Sequence, residues 1–183
     1  VEDLAMTTNA TQLARRADEL RRAGLQRVTI SLDSLKTERF EALTRRDTHA
    51  KVLEGIRQAA TVGFEAVKLN SVIMRGFNDD ELVDLLEFGR EVGAEVRFIE
   101  YMDVGGATHW LQSEVVAQNE ILTRLAAHYG PIEREVGQGA APAARFRLAD
   151  GTRFGIVSSV TEPFCGACDR SRLTADGLWY LCL

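Results

Sequence analysis

The stretch Ala66-Val-Lys-Leu-Asn-Ser-Val-Ile73, with Asn78, Glu81 and the apolar positions Leu82, Leu85, Leu86 and Gly89 behind it, decides how this sequence is read. Residues 66–73 are apolar and β-branched enough to predict a strand. Lys68 and Asn70 interrupt that run two residues apart, which puts both on one face of the strand. Polar groups inside an apolar run mark a face reserved for something other than packing. Asn78, with Glu81 three residues later, predicts a capping box opening a helix whose inner face is Leu82, Leu85, Leu86 and Gly89. The whole is one βα unit.

The same unit recurs outward from this point. Leu4–Thr7 predicts a strand, followed by a helix with Leu13, Ala17 and Leu20 on one side. Val28–Leu32 is a second strand, with two helical stretches after it; the stronger carries Val52, Ile56, Ala59, Ala60 and Gly63. Glu95–Tyr101 is a further strand. Strands alternating with helices imply parallel βαβ units. Four units are too few for a closed barrel, which typically takes about 250 residues. The expected fold class is therefore α/β, a partial TIM-like (βα) barrel arc over residues 1–103. The polar groups favour an arc over an open sheet. Thr7-Thr8-Asn9, Ser31 with Asp33, Lys68 with Asn70, and Glu100 with Met102 are expected at or near the carboxyl ends of strands, where barrel enzymes hold their chemistry. Loops also begin there, so most of these groups taken singly read equally well as loop polarity.

After Met102 the rhythm changes, and residues 104–183 are expected to form a second region. Gly105 and Gly106 lead to Trp110, and Ala117–Tyr129 predicts a helix through Ile121, Leu122 and Leu125. Gly137–Ala144 reads as a mobile surface loop. Arg145–Leu148 and Arg153–Val157 predict a small β-hairpin turning at Asp150-Gly151. The cysteines come last.

The chain has 183 residues, 45% of them hydrophobic, enough for a sizeable core. A net charge of -5 gives no general attraction to nucleic acid or an anionic membrane, and no apolar run has membrane-span length. The opening at Val1, in mid-strand, is what a piece of a longer protein would show. An odd cysteine count confined to the C-terminal end makes a poor disulfide framework, so a reducing, cytoplasmic setting is expected.

Cys165, Cys168 and Cys182 form a C-x2-C-x13-C pattern, and Arg170 and Arg172 follow its first pair. A two-residue gap lets one turn aim two thiolates at one metal. Structural zinc would require a fourth protein ligand. His49, His109 and His128 lack ligand spacing to the cysteines and read as solvated or capping residues. A [4Fe–4S] cluster usually takes four cysteines, so three would leave one iron open to a substrate atom. Spacing alone leaves a modest preference for iron–sulfur over a non-catalytic zinc module. Arginine's rigid fork suits phosphate or carboxylate, and points to an anionic substrate beside the metal.

At this point the sequence resembles the GTP 3',8-cyclase family, radical-SAM enzymes that open molybdenum cofactor biosynthesis. The resemblance rests on T-T-N at 7–9, S-L-D at 31–33, K-L-N at 68–70, R-F-I-E-Y-M-D-V-G at 97–105 and C-x2-C-x-R-x-R-L at 165–173. It implies a lyase using S-adenosylmethionine and two [4Fe–4S] clusters on an incomplete barrel. By resemblance, Cys165, Cys168 and Cys182 hold an auxiliary cluster whose open iron takes the guanine base. Thr7, Lys68, Arg170, Ser171 and Arg172 contact GTP; Ser31 and Met102 contact S-adenosylmethionine; Asn70 and Arg97 are further pocket candidates. GTP is the implied partner, and a homodimer the candidate assembly. The family's N-terminal C-x3-C-x2-C triad is absent from these residues, as is its C-terminal double glycine. The second cluster is thus expected only in a full-length protein, and this polypeptide alone is expected to show no cyclase activity. A different radical-SAM enzyme with an auxiliary cluster is the rival, although such domains generally carry more cysteines.

Overall fold

The computed structural model describes residues 2–103, 109–136, 141–163 and 165–181. Strands β1 (Ala5–Thr8), β2 (Arg27–Ser31), β3 (Ala66–Ile73) and β4 (Glu95–Glu100) pair in sequence order, all parallel. Helices α1 (Leu13–Arg22), α2 (Thr37–Thr44), α3 (His49–Thr61) and α4 (Leu82–Val92) occupy the connections. The α/β arc predicted from the alternation is present, with strand ends shifted by a residue.

The predicted helix before the hairpin is α5 (Gln118–Tyr129). The hairpin itself is β6 (Ala144–Leu148) against β7 (Arg153–Val157). The Gly151 amide closes its turn on the Leu148 carbonyl at 3.0 Å. Two features had no signal in the sequence. A short strand, β5 (Ile132–Arg134), extends the hairpin, and β7 adds in parallel to β4. One seven-stranded sheet, ordered β1-β2-β3-β4-β7-β6-β5, therefore runs across residue 103. A separate two-stranded ribbon, β8 (Arg172–Leu173) with β9 (Trp179–Tyr180), closes the described chain. Residues 137–140 of the predicted loop lie outside the described residues; Ala143, just after them, is buried.

The core fills one face of the sheet. Val28, Ile30, Val67, Leu69, Val96, Phe98, Phe154 and Ile156 point into it from four strands. Leu13, Ala17, Val52, Ile56, Leu82, Leu85 and Leu86 meet them from the helices. Each large aliphatic side chain so buried contributes about 1.5–3 kcal/mol relative to exposure. Gly55 lets α3 approach the chain after β1: a Cβ there would lie 2.5 Å from the Ala10 carbonyl oxygen. Among the described residues no helix is long and apolar enough to cross a membrane.

Two local expectations are corrected. The helix predicted from Asn78 starts at Leu82, and neither Asn78 nor Glu81 caps it by side chain. The Asn78 amide donates instead to the Asp33 and Val72 carbonyls, at 2.6 and 2.8 Å. The fully buried Glu81 carboxylate accepts from the Ser34 hydroxyl, the Leu35 amide and Arg39. Burial recruits both residues to satisfy loops that local spacing cannot reveal. His49 is neither solvated nor capping. It is buried, with its ring centroid 4.9 Å from that of Phe40 and Nδ1 3.0 Å from the Thr37 hydroxyl.

Candidate functional site

The face of the sheet opposite the helices carries the polar residues singled out above. Register arranges them in rows across the strands. Thr7 lies beside Thr29, Thr29 beside Lys68, and Lys68 beside Glu95. Two residues further along, the next row joins Ser31, Asn70, Arg97, Gly155 and Arg145. Lys68 and Asn70 share a face, as the strand period requires, while Val67, Leu69 and Ser71 are buried on the other. They sit third and fifth in an eight-residue strand, not at its carboxyl end. They are level with the end of the shorter β2, because β3 runs on past it. Strands lie about 4.8 Å apart, so Thr7 and Lys68 are separated by about 10 Å of backbone.

This face is charged and incompletely satisfied. Burial, and then the Arg97 guanidinium, push the Lys68 ammonium below its ordinary value, with Glu95 opposing. Among the described residues Lys68 has no hydrogen-bond or ion-pair partner. Arg97 donates from Nε to Glu95 Oε1 at 3.0 Å. Its stem crosses Gly155, where an added Cβ would come within 3.2 Å of Arg97 Cγ. The Asn70 side-chain oxygen is buried without a partner. Such an orphan costs about 1–3 kcal/mol, which a donor on a ligand would relieve.

Ser31 ends β2 and is exposed. With Asp33, Asn9, Thr11, Arg46 and Lys51 it borders a cleft of about 530 Å³. Asp33 Oδ1 accepts from the Val72 amide at 2.8 Å; burial raises its pKa and that bond partly offsets the rise. Met102 lies two residues beyond β4 and is partly exposed.

The cysteine segment hangs from the end of β4. Glu100, fully buried there, accepts from the amides of Gln118, Val160 and Thr161 at 2.9, 3.0 and 2.8 Å, and from the Thr161 hydroxyl. Cys165 and Cys168 flank a 3-10 turn, Cys165–Ala167, in which the Cys168 amide bonds the Cys165 carbonyl at 3.3 Å. Both thiols are free, Cys165 exposed and Cys168 half-buried. The Arg170 amide and its guanidinium, whose Nε lies 3.3 Å from Cys168 Sγ, pull the Cys168 pKa down. A turn presenting two accessible sulfurs, one biased to thiolate, fits metal ligation. Cys182 lies outside the described residues. Ser171 is exposed beside the ribbon, and Arg172 begins it opposite Tyr180. The structure thus unites Thr7, Lys68, Asn70, Arg97 and Ser31 on one face, and attaches the cysteine segment through Glu100 near Met102.

Sequence reading missed Gly155, Arg145 and the clasp made by Glu100. The alternation in Arg145-Phe-Arg-Leu148 was a signal for a cationic face, but the pairing of β7 with β4 could not be read.

Comparison with known proteins agrees with this architecture. Residues 1–89 match the radical SAM superfamily and residues 94–183 match Molybdenum Cofactor Synthesis C. The chain is 57% identical over 183 residues to GTP 3',8-cyclase 3 of Mycobacterium bovis, covering 100% of this chain and 48% of that protein. It is 46% identical to GTP 3',8-cyclase of Streptomyces coelicolor, covering 98% of this chain and 53% of that one. Against the Aquifex aeolicus GTP 3',8-cyclase the identity is 43%, covering 100% and 57%. The chain spans about half the length of these curated relatives. Among solved structures it resembles a radical SAM methyltransferase from Sphaerobacter thermophilus, with TM-score 0.53, 19% identity, and 67% and 36% of the two chains covered. It also resembles TYW1 with a lysine-pyruvate adduct bound, with TM-score 0.52, 12% identity, and 82% and 45% covered. At those identities the likeness concerns the fold alone. By sequence, the chain joins a radical SAM superfamily segment to a Molybdenum Cofactor Synthesis C segment and is similar over its whole length to about half the length of the GTP 3',8-cyclases.

Proposed function

We propose that these residues form the substrate side of a GTP 3',8-cyclase acting in molybdenum cofactor biosynthesis. Lys68 carries the reading: a half-buried ammonium, depressed by desolvation and by Arg97 and lacking a bonded partner among the described residues, on a face that helices leave open. Such a cation is destabilising until an anion arrives. In this role Lys68 and Arg97 hold the phosphates of GTP, and Thr7 lines the same face. Asn70 offers its unpaired oxygen to a sugar or base donor. Arg170, Ser171 and Arg172 bind the nucleotide from the cysteine segment.

Cys165 and Cys168, with Cys182, would hold a [4Fe–4S] cluster, and Ser31 and Met102 would contact S-adenosylmethionine. Those groups supply one-electron and radical chemistry when bound; this chain supplies grip and orientation. The remaining cluster belongs to the longer protein, the candidate assembly is a homodimer, and the setting is a reducing cytoplasm. Radical SAM folds serve several chemistries, and the resembling methyltransferase is one of them. The paired arginines and the Lys68 face favour a nucleotide here.

The test is GTP binding by isothermal titration calorimetry with Lys68→Met. The variant should bind GTP at least tenfold more weakly while guanosine binding stays unchanged, since a bond to a charged group is worth about 1.5–3 kcal/mol. Equal GTP affinity in the variant and the parent would refute the role of Lys68.

A further inference from the structure

We propose that Arg145, on antiparallel strand β6, is a further phosphate-binding residue that extends the row of Arg97, next to that of Lys68, across the side-chain-free position Gly155. The inference rests on the GTP reading above and deepens it. It assigns the outer end of the nucleotide's phosphate chain to the hairpin.

Register supports the assignment. Arg145 pairs with Gly155, and Gly155 pairs with Arg97, so all three lie in one row on the open face. Two strand spacings, about 10 Å, separate the backbones of Arg97 and Arg145. An ordinary side chain at 155 would collide with what already lies between them. A Cβ there would already press on Arg97 Cγ at 3.2 Å and Ala143 Cβ at 3.3 Å. Glycine thus lets the Arg97 stem lie over β7, one strand from Arg145.

The charges agree with this arrangement. Arg147, two residues along the same face, is engaged by Glu133 at 2.7 Å, and Arg153 by Glu135 at 2.9 Å. Arg27 is paired with Asp3 and Arg97 with Glu95. Among the described residues Arg145 has no ion pair or side-chain hydrogen bond, and its side chain is exposed. Its field nevertheless reaches Lys68, whose protonated form it disfavours along with Arg97 and Arg27. Among the described residues Lys68 and Arg145 are thus two cations without a side-chain partner, on strands to either side of the one that carries Arg97. A planar guanidinium with free donors suits a phosphate, where it can bond in bidentate fashion.

The test uses the full-length protein and inorganic tripolyphosphate, with GTP and GMP as parallel probes, measured by isothermal titration calorimetry. The parent should bind tripolyphosphate. Arg145→Gln should weaken both tripolyphosphate and GTP about tenfold while leaving GMP unchanged, and Arg145→Lys should recover part of the loss. Dependence on phosphate-chain length is the decisive readout, because a merely structural role would move all three probes together. Tripolyphosphate binding that is absent from the parent, or equal in the parent and Arg145→Gln, overturns the inference. Tripolyphosphate binding that falls in Arg145→Gln, with GTP no tighter than tripolyphosphate, supports Arg145 while removing the guanine nucleotide as the ligand.

Discussion

Lys68 shows in a single residue how stability and function oppose each other here. Its pKa lies below the ordinary 10.5, chiefly through burial and then through Arg97. The unfolded chain therefore holds more protons than the folded one between the depressed value and 10.5. Stability rises with pH across that window and is lowest where Lys68 is fully charged. Lys68→Met should make the ligand-free protein more stable at neutral pH and remove this alkaline rise, even as it weakens GTP binding. Urea denaturation at neutral and alkaline pH checks both; a variant less stable than the parent at neutral pH would contradict the argument. At this scale the sequence was informative, since a lysine and an asparagine inside an apolar run announce a face not used for packing. Glu81 and Asn78 were misread for the opposite reason: their partners Ser34, Leu35, Asp33 and Val72 lie far off in sequence or in a turn that no local pattern encodes.

Among the elements, helix α3 bears on the site through Gly55. Gly55 faces the chain at Ala10, immediately after Thr7-Thr8-Asn9, and Ala10 itself adopts φ 59°. Gly55→Ala would gain roughly 1 kcal/mol of helix propensity. A methyl 2.5 Å from a backbone oxygen cannot be accommodated by side-chain rotation, so the helix or the strand must move. Overpacking of this kind costs typically about 1–3 kcal/mol and outweighs the propensity gain. Gly55→Ala should lower stability by a net of up to ~2 kcal/mol in urea denaturation and weaken GTP binding by shifting Thr7. Unchanged stability would mean that the close approach is relieved elsewhere. The elements themselves were largely legible from apolar periodicity. The short β5 was not, because three residues carry too little pattern. Nor was the β4–β7 pairing, because register between segments more than fifty residues apart is set by the core they share. That pairing creates the Arg97–Gly155–Arg145 row.

On the scale of the whole molecule, one sheet joins two tasks. Its parallel strands present the cationic face. Glu100, at the end of β4, anchors Val160 and Thr161 and so fixes where the cysteine segment departs. A nucleotide with its phosphates on the sheet and its base near the cysteines would bridge the two. The central claim is that Cys165, Cys168 and Cys182 hold a cluster with an iron open to GTP. Electron paramagnetic resonance of the anaerobically reconstituted, reduced chain, recorded with and without GTP, tests it most directly. The account predicts a [4Fe–4S] signal that shifts when GTP is added. A cluster signal identical with and without GTP, or zinc bound with no sulfide, would contradict it.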